Sequence, residues 1–168
     1  MKVCPMCNIS FDKRVSTCKY CHYEEKPLSE ISDKLLGQIM APYLYEKTED
    51  GGIRINGVCN PRSMDLRFSV GVPHFVTEIG ADAFAHCKFI DDLELPEGLR
   101  VIGDRAFGYC KGLTHLYIPE SVTHVGKAIF EESLNMEGVC CAAYDKPEGW
   151  DDGWMGECTA WVQWNYQE

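Results

Sequence analysis

Apolar side chains recur at a fixed interval through the second half of the chain. Pro73, Pro96 and Pro119 are 23 residues apart, and Ala142 stands at the next step. Apolar residues or a cysteine occupy the positions three and one before each of them: Val70 and Val72, Leu93 and Leu95, Leu116 and Ile118, Val139 and Cys141. A unit this short cannot bury its own apolar face, so we expect successive units to stack as coils around one shared core.

The same period continues after each proline. Apolar residues follow at three and six positions, glycine at seven, phenylalanine at eleven and a small side chain at fourteen: Val76, Leu99, Val122; Ile79, Ile102, Val125; Gly80, Gly103, Gly126; Phe84, Phe107, Phe130; Cys87, Cys110, Ser133. We expect the glycines to permit a turn geometry that a Cβ atom would resist. We expect the phenylalanines to fill the convex side, and Cys87 and Cys110 to pack as small hydrophobes, close enough for a disulfide under oxidation.

These patterns predict a β-rich solenoid of the leucine-rich-repeat type, with 23-residue coils. Its parallel sheet is predicted to have strands near residues 69–72, 92–95, 115–118 and 138–141. Side chains alternate along a strand, so residues three and one before each proline point inward and their neighbours outward.

A helix and a hairpin are predicted between residues 27 and 56. Apolar residues at helical spacing follow Ser29, a candidate N-cap, and stop at Pro42, which indicates about three turns of helix packed on the end of the solenoid. Two alternating segments around the turn residues 49–52 then predict a hairpin that caps the first edge of a parallel sheet.

The first 26 residues carry a metal-binding pattern. Two Cys-x-x-Cys pairs, Cys4 with Cys7 and Cys18 with Cys21, are separated by ten residues. Four thiolates complete the tetrahedral shell of one structural zinc ion, which stabilises a segment too small for a core of its own. Two disulfides or a rubredoxin-like iron are the alternatives. The segment resembles the short zinc ribbons found at the N-termini of many bacterial proteins.

The repeat resembles a known class of bacterial proteins. Residues 95–110, LPEGLRVIGDRAFGYC, are similar to the repeat unit of BspA-like leucine-rich-repeat proteins, and the Trp-rich end resembles the segment that closes their last coil. The resemblance implies binding of a protein or ligand and no chemistry. The predicted domains are a zinc ribbon at 1–26, a linker helix at 27–42 and a repeat domain at 43–168, with a hairpin cap and a Trp-rich cap.

Charge separates the two ends of the chain. The net charge is −10, but residues 1–26 hold five Lys and Arg against three Asp and Glu, while the remainder is strongly acidic. An acidic body repels phosphate backbones, so a nucleic-acid partner is disfavoured except at the ribbon. No apolar run reaches the ~20 residues that span a membrane, and the first residues do not resemble a signal peptide. We therefore expect a cytoplasmic protein.

The outward strand positions form the candidate binding site. On the concave face the pattern aligns Asp92 with His115 and Glu94 with Tyr117, and it places Cys140 beside Tyr117 in the next coil. This acidic and aromatic patch suits a basic protein or peptide, although solvated strand residues would show the same pattern.

No enzyme motif accompanies these residues, so we expect a non-enzymatic interaction module. Asp92 and His115 lack a nucleophile to complete a triad, and a thiol enzyme or redox sensor at Cys140 is a weaker hypothesis. The four tryptophans are expected to form a terminal cap rather than a carbohydrate platform. The main alternative function is a nucleic-acid-associated factor that acts through the basic ribbon.

Overall fold

A computed structural model of the chain describes residues 2–3, 10–11, 24, 27–41, 43–58, 68–88 and 90–166. The predicted zinc ligands lie outside these residues: Cys4, Cys7, Cys18 and Cys21. The zinc site therefore stays a prediction.

The described residues form twelve short strands and one α-helix. In chain order the strands are β1 (Lys2–Val3), β2 (Ser10–Phe11), β3 (Tyr43–Lys47), β4 (Ile53–Val58), β5 (Phe68–Gly71), β6 (Val76–Ile79), β7 (Ile90–Glu94), β8 (Val101–Ile102), β9 (His115–Ile118), β10 (His124–Val125), β11 (Gly138–Cys141) and β12 (Trp161–Gln163). The helix α1 spans Asp33–Ile39. Strands β1 and β2 pair antiparallel, and β1 lies against β5.

Parallel strands spaced by the repeat form the predicted face. Strand β5 pairs with β7, and β11 pairs with β9 on one side and β12 on the other. Strands β5, β7, β9 and β11 each lie within two residues of a predicted strand, so the repeat assignment is confirmed. Among the described residues, β7 and β9 lie side by side without ladder pairing, so two ladders replace the single predicted sheet. We call the outward side of these five strands the strand face.

Strand β12 belongs to a fifth coil that the repeat alignment did not include. Val162 lies opposite Val139, and Gln163 lies opposite Cys140, each 23 residues further along the chain. The strand is therefore on the same period, although the chain between β11 and β12 has lost the proline and phenylalanine positions of the repeat.

A second sheet, absent from the sequence prediction, runs along another side of the coils. Its strand order is β10-β8-β6-β4-β3. Strands β6, β8 and β10 come from the apolar positions three to six residues after each proline, and they pair parallel from coil to coil. The hairpin β3–β4 is confirmed, but it joins this sheet, since β4 pairs parallel with β6. It therefore caps the edge of the second sheet and not the edge of the strand face.

Helix α1 is shorter than predicted and starts later. Ser32, and not Ser29, is the N-cap, because its hydroxyl accepts a hydrogen bond from the Leu35 N–H at 3.4 Å. Ser29 lies in a 3-10 turn at Leu28–Glu30, which leaves seven residues for the helix. Leu36 and Ile39 are buried in the same continuous core as the coils, as predicted for the apolar face.

A ladder of aromatic rings runs through the core. Phe84, Phe107 and Phe130 are fully buried, with ring centroids 5.8 and 6.0 Å apart in successive coils. Tyr43 of the hairpin continues the ladder at one end, 6.1 Å from Phe84, and Trp154 continues it at the other, 6.4 Å from Phe130. The repeated phenylalanine therefore joins all the coils and both caps into one core.

The repeated glycines have a different role from the one predicted. None of Gly80, Gly103 and Gly126 has a positive φ. A Cβ atom on Gly103 would lie 2.5 Å from the Ala81 nitrogen and 2.7 Å from the Gly80 carbonyl carbon, so the glycines permit close approach of adjacent coils. The left-handed turn positions are instead occupied by other residues: Asp82, Arg105 and Ala128, and His86, Tyr109 and Glu132.

Candidate interaction surface

Two columns of outward strand positions cross the strand face. The His115 column consists of Ser69, Asp92, His115, Gly138 and Trp161, and the Tyr117 column of Gly71, Glu94, Tyr117, Cys140 and Gln163. Strand pairing sets Asp92 opposite Ser69, Gly138 opposite His115 and Cys140 opposite Tyr117. The residues proposed from the sequence thus share one surface, and β12 extends both columns by one coil.

Burial follows the predicted alternation along the strands. Leu93, Leu116 and Val139 point inward and are buried. Asp92 and His115 are exposed on the strand face, while the side chains of the Tyr117 column are half-buried from Glu94 to Cys140. The Tyr117 ring stands edge-on to Tyr166 at 6.2 Å, so residues beyond β12 close one side of the surface.

Trp161 also lies on this surface, which the sequence pattern did not predict. It was expected in the terminal cap, yet 49% of its surface is exposed on the strand face. Its indole covers Gly138, where an added methyl group would overlap the ring carbons. Its centroid lies 5.9 Å from the His115 ring at an interplanar angle of 59°. The signal for its position was present, because Trp161 follows Gly138 by one repeat length.

The other three tryptophans form the predicted cap. Trp150 and Trp154 are buried and pack edge-to-face at 5.0 Å, and Trp164 packs against both. The Trp150 Nε1–H donates a hydrogen bond to the Val122 carbonyl at 3.0 Å. These rings close the core beyond Phe130.

The repeat cysteines are buried and held by the neighbouring coil. The Cys110 thiol donates to the Phe84 carbonyl at 3.1 Å, and Ser133, one coil on, donates in the same way to the Phe107 carbonyl at 2.7 Å. Burial raises the pKa of Cys87 to about 11 and that of Cys110 to about 12. These thiols are therefore protonated at neutral pH and serve packing, whereas Cys140 is half-buried on the strand face.

A groove borders the strand face where the strands begin. Its volume is about 690 Å³, and its walls come from repeated positions. Its lining includes Lys88, Lys111 and Leu134, which follow one another at the repeat length, and Asp91 and Glu137, which are two repeat lengths apart. Leu134 is 78% exposed. The groove therefore presents both charges and one apolar side chain.

The remaining chemistry is limited. Within the described ranges no group of three or more His, Cys, Asp or Glu side chains is arranged to hold a metal ion. The His115 Nδ1 atom lies 3.1 Å from the hydroxyl of its chain neighbour Thr114. The described residues contain no helix with the length and apolar character needed to span a membrane.

Comparison with known proteins agrees with this geometry. Residues 66–142 match the sequence model of a family described as BspA type leucine rich repeat region, in six copies. The coils within residues 66–142 are therefore similar to BspA-type leucine-rich repeats. Leucine-rich repeats generally present extended surfaces for protein binding, and they are typically non-enzymatic. The matched BspA-type region ends at Ala142, so β12 and Trp161 lie beyond it.

Two solved structures are similar to this leucine-rich-repeat chain, both at 17% identity. One is a leucine rich cell surface protein from Faecalibacterium prausnitzii, with a TM-score of 0.45 over 75% of this chain; the chain spans 38% of that protein's length. The other is a T. pallidum leucine-rich-repeat protein, with a TM-score of 0.36 over 76% of this chain and 81% of that one. No curated protein matches the chain.

Proposed function

We propose that this protein is a non-enzymatic interaction module that binds a protein partner on the strand face through Asp92, Glu94, His115, Tyr117 and Cys140. The observation that supports the proposal is the placement of these side chains at outward positions of β7, β9 and β11, where β9 pairs with β11 and β7 lies beside β9. The inward residues are taken up by the core, so the columns offer rigid side chains at regular spacing. Rigid placement lowers the entropy cost of binding.

The proposed partner is basic. Between residues 90 and 166 the sequence holds fourteen Asp and Glu against five Lys and Arg. Such a surface attracts a Lys- or Arg-rich partner, and salt weakens the attraction by screening. Tyr117 adds an amphipathic ring of the kind that carries binding energy at interfaces.

The test is the affinity of a captured partner for a Glu94→Ala, Tyr117→Ala double variant of the full chain. We expect binding to weaken by at least about tenfold, roughly 1.4 kcal/mol. The matched control is Glu132→Ala, Tyr109→Ala, which removes the same two side-chain types from exposed positions outside the strand face. If the first variant binds within about twofold of the natural chain, the strand face is not the site.

We also propose one structural zinc ion in residues 1–26, held by Cys4, Cys7, Cys18 and Cys21. Its support is the paired Cys-x-x-Cys spacing. The acidic coils favour a protein partner over the alternative of nucleic-acid binding through the basic ribbon. A mobility shift of short RNA or DNA at about 50 mM salt would reverse that preference.

A further inference from the structure

Trp161 is an exposed aromatic side chain that covers a glycine of the neighbouring strand. Its indole lies over the backbone of Gly138, the one position of the His115 column where the absence of a Cβ makes room for a flat ring. This contact covers one face of the indole. With 49% of the side chain exposed, the opposite face is open to solvent. An open indole face is an apolar and electron-rich surface.

The ring is held in place by the strand that carries it. The Trp161 N–H donates to the Glu137 carbonyl at 3.0 Å, and β12 pairs with β11 over its whole length. Beyond the strand, the Asn165 and Tyr166 N–H groups donate to the Ala143 and Cys141 carbonyls at 2.8 and 3.0 Å. The indole therefore stands on a backbone fixed at both ends, as a binding platform requires.

His115 gives the platform a side wall. Its ring is tilted by 59° to the indole at a centroid distance of 5.9 Å, so the two rings form an open corner rather than a closed stack. His115 is itself exposed, which leaves the corner accessible from solvent. A flat group that lies on the indole would contact the imidazole with its edge.

The charge around the corner selects the kind of group that fits. Glu137 is exposed and directly precedes Gly138, and acidic residues outnumber basic ones almost three to one between residues 90 and 166. A cation over an indole is attracted by the ring quadrupole when it lies within about 6 Å of the centroid. A guanidinium group is planar and weakly hydrated, so it stacks on an indole better than an ammonium group does.

We propose that the corner between Trp161 and His115 binds the guanidinium group of an arginine on the basic partner. The inference rests on the proposed function, because it specifies the partner's chemistry at one end of the strand face. It assigns Trp161 as the specificity-determining residue for arginine, with His115 as the wall that positions the side chain.

The experiment is an NMR titration of the ¹⁵N-labelled full chain with the blocked peptide Gly-Arg-Gly-Arg-Gly. The readout is the indole N–H signal of each tryptophan. The signal of Trp161 is identified by its loss in Trp161→Leu. We expect the Trp161 signal to shift saturably, with smaller changes at Trp150, Trp154 and Trp164. The corresponding Lys peptide should shift it at higher concentration, and the Glu peptide or a methyl glucoside should not.

Trp161→Leu separates the arginine site from a simple apolar contact. Leucine keeps apolar bulk over Gly138 but removes the π system, so we expect affinity for the Arg peptide to fall about threefold or more. This affinity is followed by the peptide's own signals. Tyr144→Leu removes an aromatic ring that is 80% exposed away from the strands and should leave binding unchanged.

Two outcomes of the titration would overturn the inference: no saturable shift of the Trp161 signal, or an equal response to the Glu peptide or the glucoside. Unchanged Arg-peptide affinity in Trp161→Leu would also overturn it, since binding would then be apolar or elsewhere. If the inference fails while the Glu94→Ala, Tyr117→Ala variant loses the captured partner, the proposed function stands without the arginine site. If that variant also binds normally, both are wrong.

Discussion

At the scale of single residues, the repeated glycines show how one pattern can have two physical causes. A glycine that recurs in a turn suggests a left-handed φ, but here the left-handed positions carry Arg105 and Tyr109 in the coil that contains Gly103. Gly103 is required because the preceding coil passes too close for a side chain. The period in the sequence cannot distinguish these two causes, because each of them would place one glycine in every coil.

The first prediction contrasts two glycines. We expect Gly103→Ala to destabilise the protein by about 1–3 kcal/mol, because its Cβ would push against the backbone at Ala81 and Gly80. The same change at Gly37, in helix α1, meets nothing within 4 Å and should stabilise by about 0.5–1 kcal/mol. Urea denaturation of both variants is the measurement. Equal effects would contradict the close-approach explanation.

The second prediction concerns the centre of the aromatic ladder. Phe107 is fully buried between Phe84 and Phe130, so Phe107→Ala should cost about 3–5 kcal/mol of stability. Phe107→Leu keeps more of the volume and should cost clearly less. A loss below about 1 kcal/mol for the alanine variant would show that the ladder is not the core of the coils.

At the scale of elements, Cys110 and Ser133 hold adjacent coils together through side-chain donors. Cys110 and Ser133 donate to the carbonyl of the phenylalanine 26 residues earlier. Ser133 also accepts the Cys110 N–H at 3.0 Å. Both a thiol and a hydroxyl can donate this buried hydrogen bond, which explains why the repeat has Cys110 in one coil and Ser133 at the equivalent position of the next.

The third prediction follows from the pKa of these thiols. Burial raises the pKa of Cys110 to about 12 and that of Cys87 to about 11, whereas a thiol in the unfolded chain titrates near ~8.5. The unfolded state therefore loses protons first. The contribution of these thiols to stability should be constant below about pH 8 and should fall as the pH rises from about 9 towards 11 for Cys87 and 12 for Cys110, by about 1.4 kcal/mol per pH unit for each thiol.

The variant that tests this is Cys110→Ser, which copies the residue of the next coil and keeps a donor for the Phe84 carbonyl. It should remain folded and lose stability less steeply in alkali, because one titrating group is gone. Cys158→Ser, at a half-buried position, serves as the control and should leave the slope unchanged. The free energy of unfolding of the natural chain and both variants is measured by urea denaturation between pH 8 and 10.5. Identical slopes of this free energy against pH would contradict the prediction.

At the scale of the whole molecule, the coils form a stack with a different cap at each end. Tyr43 lies against Phe84 at one end, where Leu36 and Ile39 of helix α1 join the same core, and Trp154 lies against Phe130 at the other end. Terminal coils of a solenoid need such caps because each coil otherwise exposes one apolar face. Among the described residues, the buried core extends from Ile31 to Trp154.

The fourth prediction is one zinc ion per chain. Metal analysis of the purified protein should find a stoichiometry of about one, lost in Cys21→Ser and retained in Cys158→Ser. Chelation should unfold residues 1–26, because the ion stabilises that segment. It should leave the melting transition of the coils nearly unchanged, as followed by tryptophan fluorescence. Protein that contains neither zinc nor iron would contradict the site.

The repeated coils could be predicted from the amino-acid sequence alone. Each unit places the same residue types in the same local environment, so Leu93, Leu116 and Val139 could be assigned to the interior of strands from the period alone. For the same reason the outward positions of the strands follow from the period, and the pairing of β9 with β11 confirms the register of His115 with Gly138 and of Tyr117 with Cys140. The burial of the phenylalanines and of Cys110 also followed from hydrophobicity and period.

Features that depend on pairing between distant segments could be found only from the three-dimensional structure. The second sheet consists of strands as short as two residues, too short for alternation to show, and its position decided which edge the hairpin joins. The place of Trp161 depended on the pairing of β12 with β11 across a segment without the repeat. Hydrophobicity predicts that a tryptophan is buried, but here the strand register and the missing Cβ of Gly138 leave one indole face in solvent.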